Sequence, residues 1–389
     1  MKILYIADTY EIGGAFLSFI NIINNIKKNH TDIVPVVLSS KYGKNNIVAD
    51  RNDIENYDIG HKAFFINNGS TIPRKCIRII LRPFLKIQYL LANKNAVTKA
   101  EKLIDFSSVD LIHSNSNRND IGAILAKKHN IPHIWHLREY GDDCFTLRND
   151  YIEFMNEHTD CFIAISKAVA FRWVEKGIDP KKIVVVYNGI ANNIHYADKK
   201  TDKQISRGVI TGFISPFKGQ YDLIKAINTI KSYLRGRFQL DIYGNVAFEY
   251  LLRLKAYVIL HGLSDLVRFK GYVSDVERLY SDYEIGFMCS KAEGFGRVTV
   301  EYMMAGLCVI ASDTGANQEL ISDSISGYIY KYKDKKGLAE TIKKVVENPN
   351  EAFLCAKRAE EDARNKYSLD KNIEEICKVY FRVLESVKR

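Results

Sequence analysis

The sequence predicts an α/β protein of two domains, each built on a parallel, doubly wound sheet. The chain has 389 residues, too many for one ordinary hydrophobic core and about right for two. Short apolar runs alternate with helical patterns along almost all of it, which is typical of βαβ units. A polar, lysine-rich stretch without apolar periodicity, residues 187–208, interrupts the alternation. We therefore predict a linker in that stretch.

The first half has the elements of one such domain, which we place at residues 1–190. A strand "KILYIAD" precedes a helix from about Ala15 to Lys28, and the buried strands that follow are "IVPVVLSS", "VDLIHS", "IPHIWHL" and "CFIAIS". The carboxyl ends of parallel strands share one edge of a sheet, and ligands bind there.

The second half repeats the pattern over residues 206–366. Its strands are "GVITGFIS", "FQLDIYG", "LVRFKGYV", "YEIGFMCS", "CVIASD" and "GYIYK", with a helix near Asp222 to Tyr233, one ending at about His261 and one after Gly296. Two further helical stretches, about 351–365 and 369–387, end the chain. We assign residues 367–389 to a separate C-terminal helix.

Composition limits the class of protein. The chain is 47% hydrophobic and 26% charged, which is typical of a soluble globular protein. Its opening is too short for a signal-peptide core, and no apolar run is long enough to span a bilayer. The seven cysteines are widely spaced and form no CxxC pair, so neither a disulfide framework nor a zinc site is expected. We expect a cytoplasmic protein.

The net charge of +10 is concentrated in residues 74–102. Between Pro73 and Leu103 there are eight basic residues and one acid, Glu101. The segment reads as an amphipathic helix kinked at Pro83, with Arg78, Arg82 and Lys86 on one face and Ile77, Ile80, Phe84 and Ile87 on another. It is compatible with peripheral contact with an anionic membrane and equally with a surface helix whose charges are only solvated. The lysines lack interleaved aromatic residues, so we expect no nucleic-acid partner.

The stretch "EGFGRVTVE" holds two carboxylates, Glu293 and Glu301, around a glycine-rich turn. The turn Gly294-Phe295-Gly296 precedes a helix that begins near Arg297, and the free amides at its N-terminus suit a phosphate. Each glutamate would then accept hydrogen bonds from a hydroxyl-bearing group beside that phosphate. A paired-carboxylate hydrolase is the competing interpretation, and the spacing does not decide between them.

Two other loops could contact a phosphate. Gly13 and Gly14 lie between the first strand and the first helix, where backbone amides suit an anion, although the pair is also compatible with a simple tight turn. Lys218, in "GFISPFKGQ", follows a strand and could reach a diphosphate or be a solvated loop charge. Neither loop matches GxGxxG or GxxxxGK[ST], which disfavours a nicotinamide enzyme and a nucleoside triphosphatase.

At this point a family resemblance accounts for several stretches together. "EGFGRVTVEYMMAGLCVIASDTGANQEL" resembles the E-x7-E region of retaining glycosyltransferases of family 4, and "EIGGA", "VDLIHSNS", "IPHIWHLRE" and "LVRFKGYV" resemble other family segments in the same order. The resemblance covers nearly the whole chain. It implies the GT-B fold, in which two Rossmann-like doubly wound domains face each other across a cleft and the C-terminal helix crosses back to the N-terminal domain.

The resemblance also implies roles for individual residues. Glu293 would hold hydroxyls of the donor sugar, Glu301 the nucleotide ribose, and Lys218 the diphosphate. His136 would lie in the acceptor site, although such a histidine by itself is more often a packed one. The remaining residues implied in donor binding are Gly13, Gly14, Gly294, Phe295, Gly296, Arg297, Thr314, Gly315 and Glu319.

Two positions depart from the family pattern. Phe213 stands where the family usually has an arginine, so half of the cationic clamp on the diphosphate is missing, and either Arg297 or Arg138 substitutes or phosphate binding is weaker. Ala316 follows Gly315 where the family usually has a second glycine, which narrows the space there.

The implied reaction is transfer of a hexose from a nucleotide-diphosphate sugar, a UDP-sugar more than a GDP-sugar, with retention at the anomeric carbon. His136, Glu293 and Lys218 would be the catalytic residues, and no metal or other cofactor is expected because no DxD-type carboxylate cluster stands out. The acceptor would be a lipid-linked glycan or oligosaccharide in bacterial capsule or lipopolysaccharide synthesis, at the inner face of the plasma membrane. A sugar-nucleotide epimerase and a non-catalytic nucleotide-sugar binder of the same fold are the alternatives.

Overall fold

The computed structural model describes residues 1–7, 14–40, 54–67, 72–142, 144–191, 194, 204–273, 275–276 and 278–387. The chain divides into two compact units. Unit 1 comprises Met1–Gly189 together with Leu369–Arg389, and unit 2 comprises Ile190–Ser368.

Unit 1 contains, among its described residues, a seven-stranded parallel sheet in the order β3-β2-β1-β5-β6-β8-β9. Two short strands, β4 and β7, pair antiparallel beside it. The strands are β1 (Lys2–Ile6), β2 (Val34–Ser39), β3 (Glu55–Asp58), β4 (Phe65–Asn67), β5 (Leu111–Ser114), β6 (His133–Leu137), β7 (Cys144–Thr146), β8 (Cys161–Ala164) and β9 (Ile183–Val185).

The helices that follow these strands are α1 (Gly14–Asn29), α2 (Ile72–Leu103), α3 (Ile121–His129), α4 (Tyr151–Glu157) and α5 (Lys167–Glu175). Short 3-10 turns occupy Phe106–Ser108 and Pro180–Lys182. α2 continues as one helix through Pro83, the position at which the sequence predicts a kink.

Unit 2 contains a six-stranded parallel sheet in the order β12-β11-β10-β13-β14-β15. Its strands are β10 (Arg207–Thr211), β11 (Gln239–Tyr243), β12 (Val267–Gly271), β13 (Ile285–Met288), β14 (Cys308–Ser312) and β15 (Tyr328–Tyr330). Its helices are α6 (Gln220–Thr229), α7 (Lys231–Leu234), α8 (Phe248–Leu260), α9 (Arg297–Met304), α10 (Asn317–Leu320), α11 (Lys335–Glu347) and α12 (Pro349–Tyr367), with a 3-10 turn at Leu279–Asp282.

The predicted helix near Asp222 to Tyr233 is two helices in the structure. α6 ends at Thr229, and α7 starts after Ile230, whose φ of −117° and ψ of 21° depart from helical values. Because Ile230 interrupts the helical dihedrals, α7 forms a separate short turn before β11.

The strands read as continuous apolar runs because helices cover both faces of each sheet. β1, β6 and β14 illustrate this: every residue of β6 and β14 is buried, as are four of the five in β1. Such strands have no solvated face, so their polar residues lie in the core or at strand ends.

The last helix, α13 (Leu369–Val387), belongs to unit 1 and packs against α1. Its buried side chains, including Ile376 and Val383, join the core formed by β1 and α1. Tyr380 also lies 3.2 Å, hydroxyl to hydroxyl, from Tyr5 of β1. The predicted return of the chain to the N-terminal domain is therefore confirmed.

Candidate functional site

The turn between β13 and α9 begins the site in unit 2. Gly296 has φ +85° and is the residue before the first turn of α9, so a larger side chain there would be strained. No side chain of the described residues caps the helix N-terminus, and its first turn carries no acid. A helix N-terminus of this kind suits an anion.

Lys218 and Glu293, both predicted from the sequence, are in contact in the structure. Lys218 Nζ lies 2.5 Å from Glu293 Oε1. The loop that carries Lys218 is held against the end of β13 because Gly219 has φ +75° and a Cβ there would lie 2.0 Å from the Cys289 carbonyl oxygen. Only glycine permits this approach, so the backbone itself brings the cation to the carboxylate.

Glu301 lies in α9 and is almost completely buried. Its Oε1 accepts a hydrogen bond from Arg297 Nε at 2.9 Å, and its Oε2 accepts one from the Tyr280 hydroxyl at 3.3 Å. Burial raises the pKa of the Glu301 carboxyl, and the Arg297 guanidinium acts in the opposite direction. Two different side chains therefore fix both oxygens of this carboxylate.

A tyrosine network holds Glu301 at the end of β10. The Thr211 hydroxyl lies 3.1 Å from the Tyr280 hydroxyl and 3.0 Å from that of Tyr302, and the Thr211 amide donates to Tyr302 at 2.8 Å. These bonds join residues 69 and 91 positions apart in the sequence.

A cavity of about 230 Å³ lies beside Glu301. It is formed where the chain leaves β10, β11 and β12, and half of its lining residues are aromatic or glycine. Sequence reasoning missed most of these residues, although the convergence of three strand ends was a signal. The lining residues are Thr211, Gly212, Phe213, Tyr243, Gly244, Asn245, Tyr272, Val273, Val276, Tyr280, Val298 and Glu301.

The loop after β14 is tied to the Glu293 turn. The Thr314 hydroxyl donates to the Ser290 carbonyl at 2.7 Å, and the Ala316 amide donates to the Glu293 carbonyl at 3.0 Å. Gly315 has φ +59°, and Glu319 lies in α10. This loop therefore supports Glu293 through its backbone.

The ring of Phe295 lies in the core of unit 2. Its ring is buried and packs edge-on against Tyr367, with 5.8 Å between the ring centroids. Gly294 and Gly296 flank it in the turn. The phenylalanine anchors the turn in the core of unit 2.

His136 lies in β6 of unit 1 and is fully buried. Its Nδ1 lies 3.2 Å from His113 Nε2 and 3.4 Å from Arg138 Nη2, while its Nε2 has no hydrogen-bond partner among the described residues. Burial lowers the pKa of His136 well below the usual value and that of His113 to about 3, so both rings are neutral near pH 7.

Both arginines considered as substitutes for the missing cationic clamp already have hydrogen-bond or ion-pair partners. Arg138 Nε donates to Asn115 Oδ1 at 2.7 Å and its Nη1 donates to Asn188 Oδ1 at 2.8 Å, within unit 1. Arg297 is paired with Glu301. Gly13 lies outside the described residues, and Gly14 is the first residue of α1.

The edge of unit 2 thus combines two cations, two carboxylates and a helix N-terminus. Each carboxylate has its own cationic partner, Lys218 for Glu293 and Arg297 for Glu301, and carboxylate oxygens accept hydrogen bonds from hydroxyls. No cluster of three or more His, Cys, Asp or Glu side chains suited to a metal ion occurs in the described part of the chain.

Two family models match the chain, one in each half. Residues 57–192 match the model described as Glycosyltransferase Family 4, and residues 200–364 match Glycosyl transferases group 1. Glu293, Glu301 and Lys218 lie within the second match.

Individual relatives agree with these models. An uncharacterised glycosyltransferase of Methanocaldococcus jannaschii is 26% identical over 77% of this chain and 82% of its own length. The lipopolysaccharide core biosynthesis mannosyltransferase LpcC of Rhizobium leguminosarum is 31% identical over 36% of this chain and 41% of its own length.

Solved structures share the fold. The Anabaena protein HepE, crystallised in complex with UDP and glucose, has a TM-score of 0.76 at 21% identity and covers 97% of this chain and 99% of its own. The same protein has been crystallised with UDP-glucose. The predicted GT-B fold, with its two Rossmann-like parallel-sheet domains, is confirmed.

Proposed function

We propose that this chain, a glycosyltransferase of the GT-B type, moves a hexose from a UDP-sugar to an acceptor hydroxyl with retention at the anomeric carbon. The observation that carries the proposal is the pair of carboxylate–cation contacts, Lys218 with Glu293 and Arg297 with Glu301, around the N-terminus of α9. UDP is favoured because HepE, which shares the fold, binds UDP and UDP-glucose.

The proposed roles follow from the charge that the reaction develops. When the glycosidic bond to the diphosphate breaks, negative charge accumulates on the departing UDP oxygen, and the main catalytic requirement is to stabilise it. Lys218 and the first amides of α9 supply positive charge there. In this proposal the diphosphate takes over Lys218, which frees Glu293 Oε1 to accept hydrogen bonds from the sugar.

Glu301 has a separate role in the proposal. Its buried, doubly anchored carboxylate lies beside the cavity at the ends of β10, β11 and β12. In the proposal it accepts hydrogen bonds from the ribose while the base enters the cavity. A charged acceptor in a poorly solvated site binds a diol strongly.

Retention is proposed to follow from attack on the face that UDP leaves. The acceptor oxygen bonds to the anomeric carbon, the bond to the diphosphate oxygen breaks, and the acceptor proton passes to that diphosphate oxygen. The proposed enzyme needs no metal, because Lys218 and the α9 amides meet the charge that a divalent ion would otherwise neutralise.

The acceptor is proposed to be a lipid-linked glycan at the inner face of the plasma membrane, in synthesis of a bacterial surface polysaccharide. The lipopolysaccharide mannosyltransferase relative supports this class of acceptor. No helix within the described ranges is long and apolar enough to cross a bilayer.

The test is an assay of nucleotide release from UDP-, GDP- and dTDP-sugars, with and without a lipid-linked acceptor. We expect release of UDP, stimulated by the acceptor and unaffected by EDTA, and an NMR spectrum of the product that retains the donor's anomeric configuration. An inverted product contradicts the stereochemistry, and loss of activity in EDTA contradicts the metal-free mechanism. Release from no donor indicates a non-catalytic binder, and a new sugar nucleotide without release indicates an epimerase.

A further inference from the structure

One helix of unit 1 presents an apolar strip to solvent. Ile80, Phe84, Ile87 and Leu91 of α2 are 76%, 58%, 57% and 59% exposed. Their spacing of four, three and four residues places them on one side of a helix. We call these four residues the apolar ridge.

The opposite side of α2 packs on unit 1. Its buried residues Tyr89, Asn93, Ala96 and Ala100 repeat the same four, three, four spacing. The two sets are nine positions apart, about 900° of helix rotation, so they point in opposite directions.

Polar contacts hold α2 in this orientation. The Tyr89 hydroxyl donates a short hydrogen bond to buried Asp120, and Asn93 Nδ2 donates to the same carboxylate at 3.3 Å. Rotation of α2 to bury the ridge would break both bonds and leave the Asp120 charge buried without them. The ridge is therefore a fixed outward surface about 17 Å long.

Exposed lysines surround and continue the ridge. Lys94 and Lys102 follow Leu91 on the same side of the helix, and Lys99 is exposed at its flank. The single acid between Pro73 and Leu103 is Glu101, which is engaged by Lys128 at 2.6 Å and His129 at 3.1 Å. An apolar strip edged by cations and poor in acids matches an anionic lipid surface in charge.

The structure also changes which cations matter. The sequence places Arg78, Arg82 and Lys86 together on one face, but Arg82 donates to the Thr146 carbonyl at 3.0 Å and to Asn149 Oδ1 at 3.2 Å. Arg82 therefore points along the packed side of α2, away from the ridge.

We propose that the apolar ridge of α2, with the lysines that follow it, docks unit 1 on an anionic bilayer. The ridge enters the boundary between headgroups and acyl chains, and Lys94 and Lys102 contact anionic headgroups. The inference deepens the proposed action on a lipid-linked acceptor, but its evidence lies in α2 alone and it does not require that activity.

The test is flotation of the full chain with vesicles of phosphatidylcholine alone or with about 30% phosphatidylglycerol. We expect binding to the anionic vesicles. The triple variant Phe84→Ser/Ile87→Ser/Leu91→Ser should lower the partition coefficient by about tenfold or more, because these side chains no longer transfer apolar surface into the bilayer.

A matched control comes from the exposed apolar residues of α8 in unit 2. Phe248, Leu252 and Ile259 are 71%, 50% and 69% exposed, so their triple change to serine removes a comparable apolar area from a different surface. This control should float as the unchanged protein does. A second variant, Lys94→Glu/Lys102→Glu, should lose the preference for anionic over neutral vesicles.

Three results overturn the proposal: no flotation of the unchanged protein, equal loss in the α8 control, or a ridge variant that floats normally. If the unchanged protein is instead a dimer in solution, binds no vesicles, and becomes monomeric in the ridge variant, the ridge binds a second copy of the chain. Because flotation needs no donor and UDP release from a soluble donor needs no vesicles, failure of one hypothesis is distinguishable from failure of the other.

Discussion

The two units of the chain share one strand order but differ in the chemistry at the ends of their strands. In both sheets the second and third strands lie on one side of the first strand, and the later strands lie on its other side. In unit 1 these strands carry buried neutral histidines: His113 and His136 lie near the carboxyl ends of β5 and β6, and His133 is the first residue of β6. In unit 2 the corresponding edge carries the pairs Lys218–Glu293 and Arg297–Glu301.

This difference shows that the two units share a topology, while the side chains at the strand ends determine which ligands each unit could bind. The charged edge in unit 2 suits an anionic ligand rich in hydroxyls, as proposed for the nucleotide sugar. The histidines of unit 1 offer hydrogen bonds without carrying charge themselves, because burial lowers their pKa and the Arg138 guanidinium acts in the same direction on His113 and His136.

The largest effect expected from this contrast is on stability. Burial lowers the pKa of both His113 and His133 to about 3. When the pKa of a histidine is lower in the folded state than in the unfolded state, the folded protein loses stability as pH falls below the unfolded pKa of about 6.5. The reason is that the unfolded state then binds more protons. Between pH 7 and pH 5 we expect these two residues to cost about 4 kcal/mol.

Both tryptophans of the chain, Trp135 and Trp173, lie in unit 1, so urea unfolding followed by tryptophan fluorescence measures that unit. The midpoint should fall from pH 7 to pH 5 and stay nearly constant from pH 7 to pH 8. In unit 2 the raised pKa of Glu301 works in the opposite direction, since protonation of a buried carboxyl relieves its desolvation as pH falls. A urea midpoint, measured by tryptophan fluorescence, that does not move between pH 7 and pH 5 contradicts the predicted effect of the buried histidines in unit 1.

The next largest effect is on turnover. Glu293→Gln keeps the shape of the side chain but removes the charge that pairs with Lys218 and, in the proposal, accepts from the donor sugar. We expect kcat to fall by about 100-fold, as for loss of a hydrogen bond to a charged group, with the Kd for UDP changed little. Steady-state rates with the preferred donor and calorimetry with UDP measure the two quantities.

The fold and the main site residues could be predicted because their signals are local. Alternating apolar runs predict parallel strands, and Glu293, Gly296 and Glu301 lie within one turn and one helix. Strands without an apolar signal escaped prediction, such as β3, whose sequence is "ENYD". It joins the sheet through backbone pairing to β2, which residue type does not reveal.

The support of the site could not be predicted because it joins distant parts of the chain. Thr211, Tyr280 and Tyr302 form one hydroxyl cluster only after β10, the 3-10 turn and α9 are assembled. Phe295 illustrates the converse. It lies inside the predicted motif, yet its ring is in the core, because side-chain direction depends on the packing around the turn.

Glu301→Gln separates the roles of the two carboxylates and should have a smaller effect than Glu293→Gln on turnover. Its two oxygens are held by Arg297 and Tyr280 beside the cavity, so loss of charge should weaken ribose binding. We expect the Kd for UDP to rise about tenfold, with kcat at saturating donor within about threefold of the unchanged enzyme. Equal loss of UDP affinity in Glu293→Gln and Glu301→Gln would show that the roles are wrongly divided.

The smallest expected effect tests how far the charge of unit 2 can be increased. Phe213 is 58% exposed, follows β10 and lines the cavity beside Glu301, at the position where the family 4 pattern usually has an arginine. Phe213→Arg should lower the Kd for UDP by about threefold at low salt, because an exposed cation near a diphosphate contributes only a fraction of a kcal/mol and is screened by added salt. Titrations at low and high ionic strength measure the change, with Phe213→Gln as the uncharged control.

Equally tighter UDP binding in Phe213→Gln would mean that removal of the ring is responsible. Weaker binding in both variants would show instead that the phenylalanine ring itself contacts the nucleotide, and that the cationic clamp has been replaced by an aromatic one.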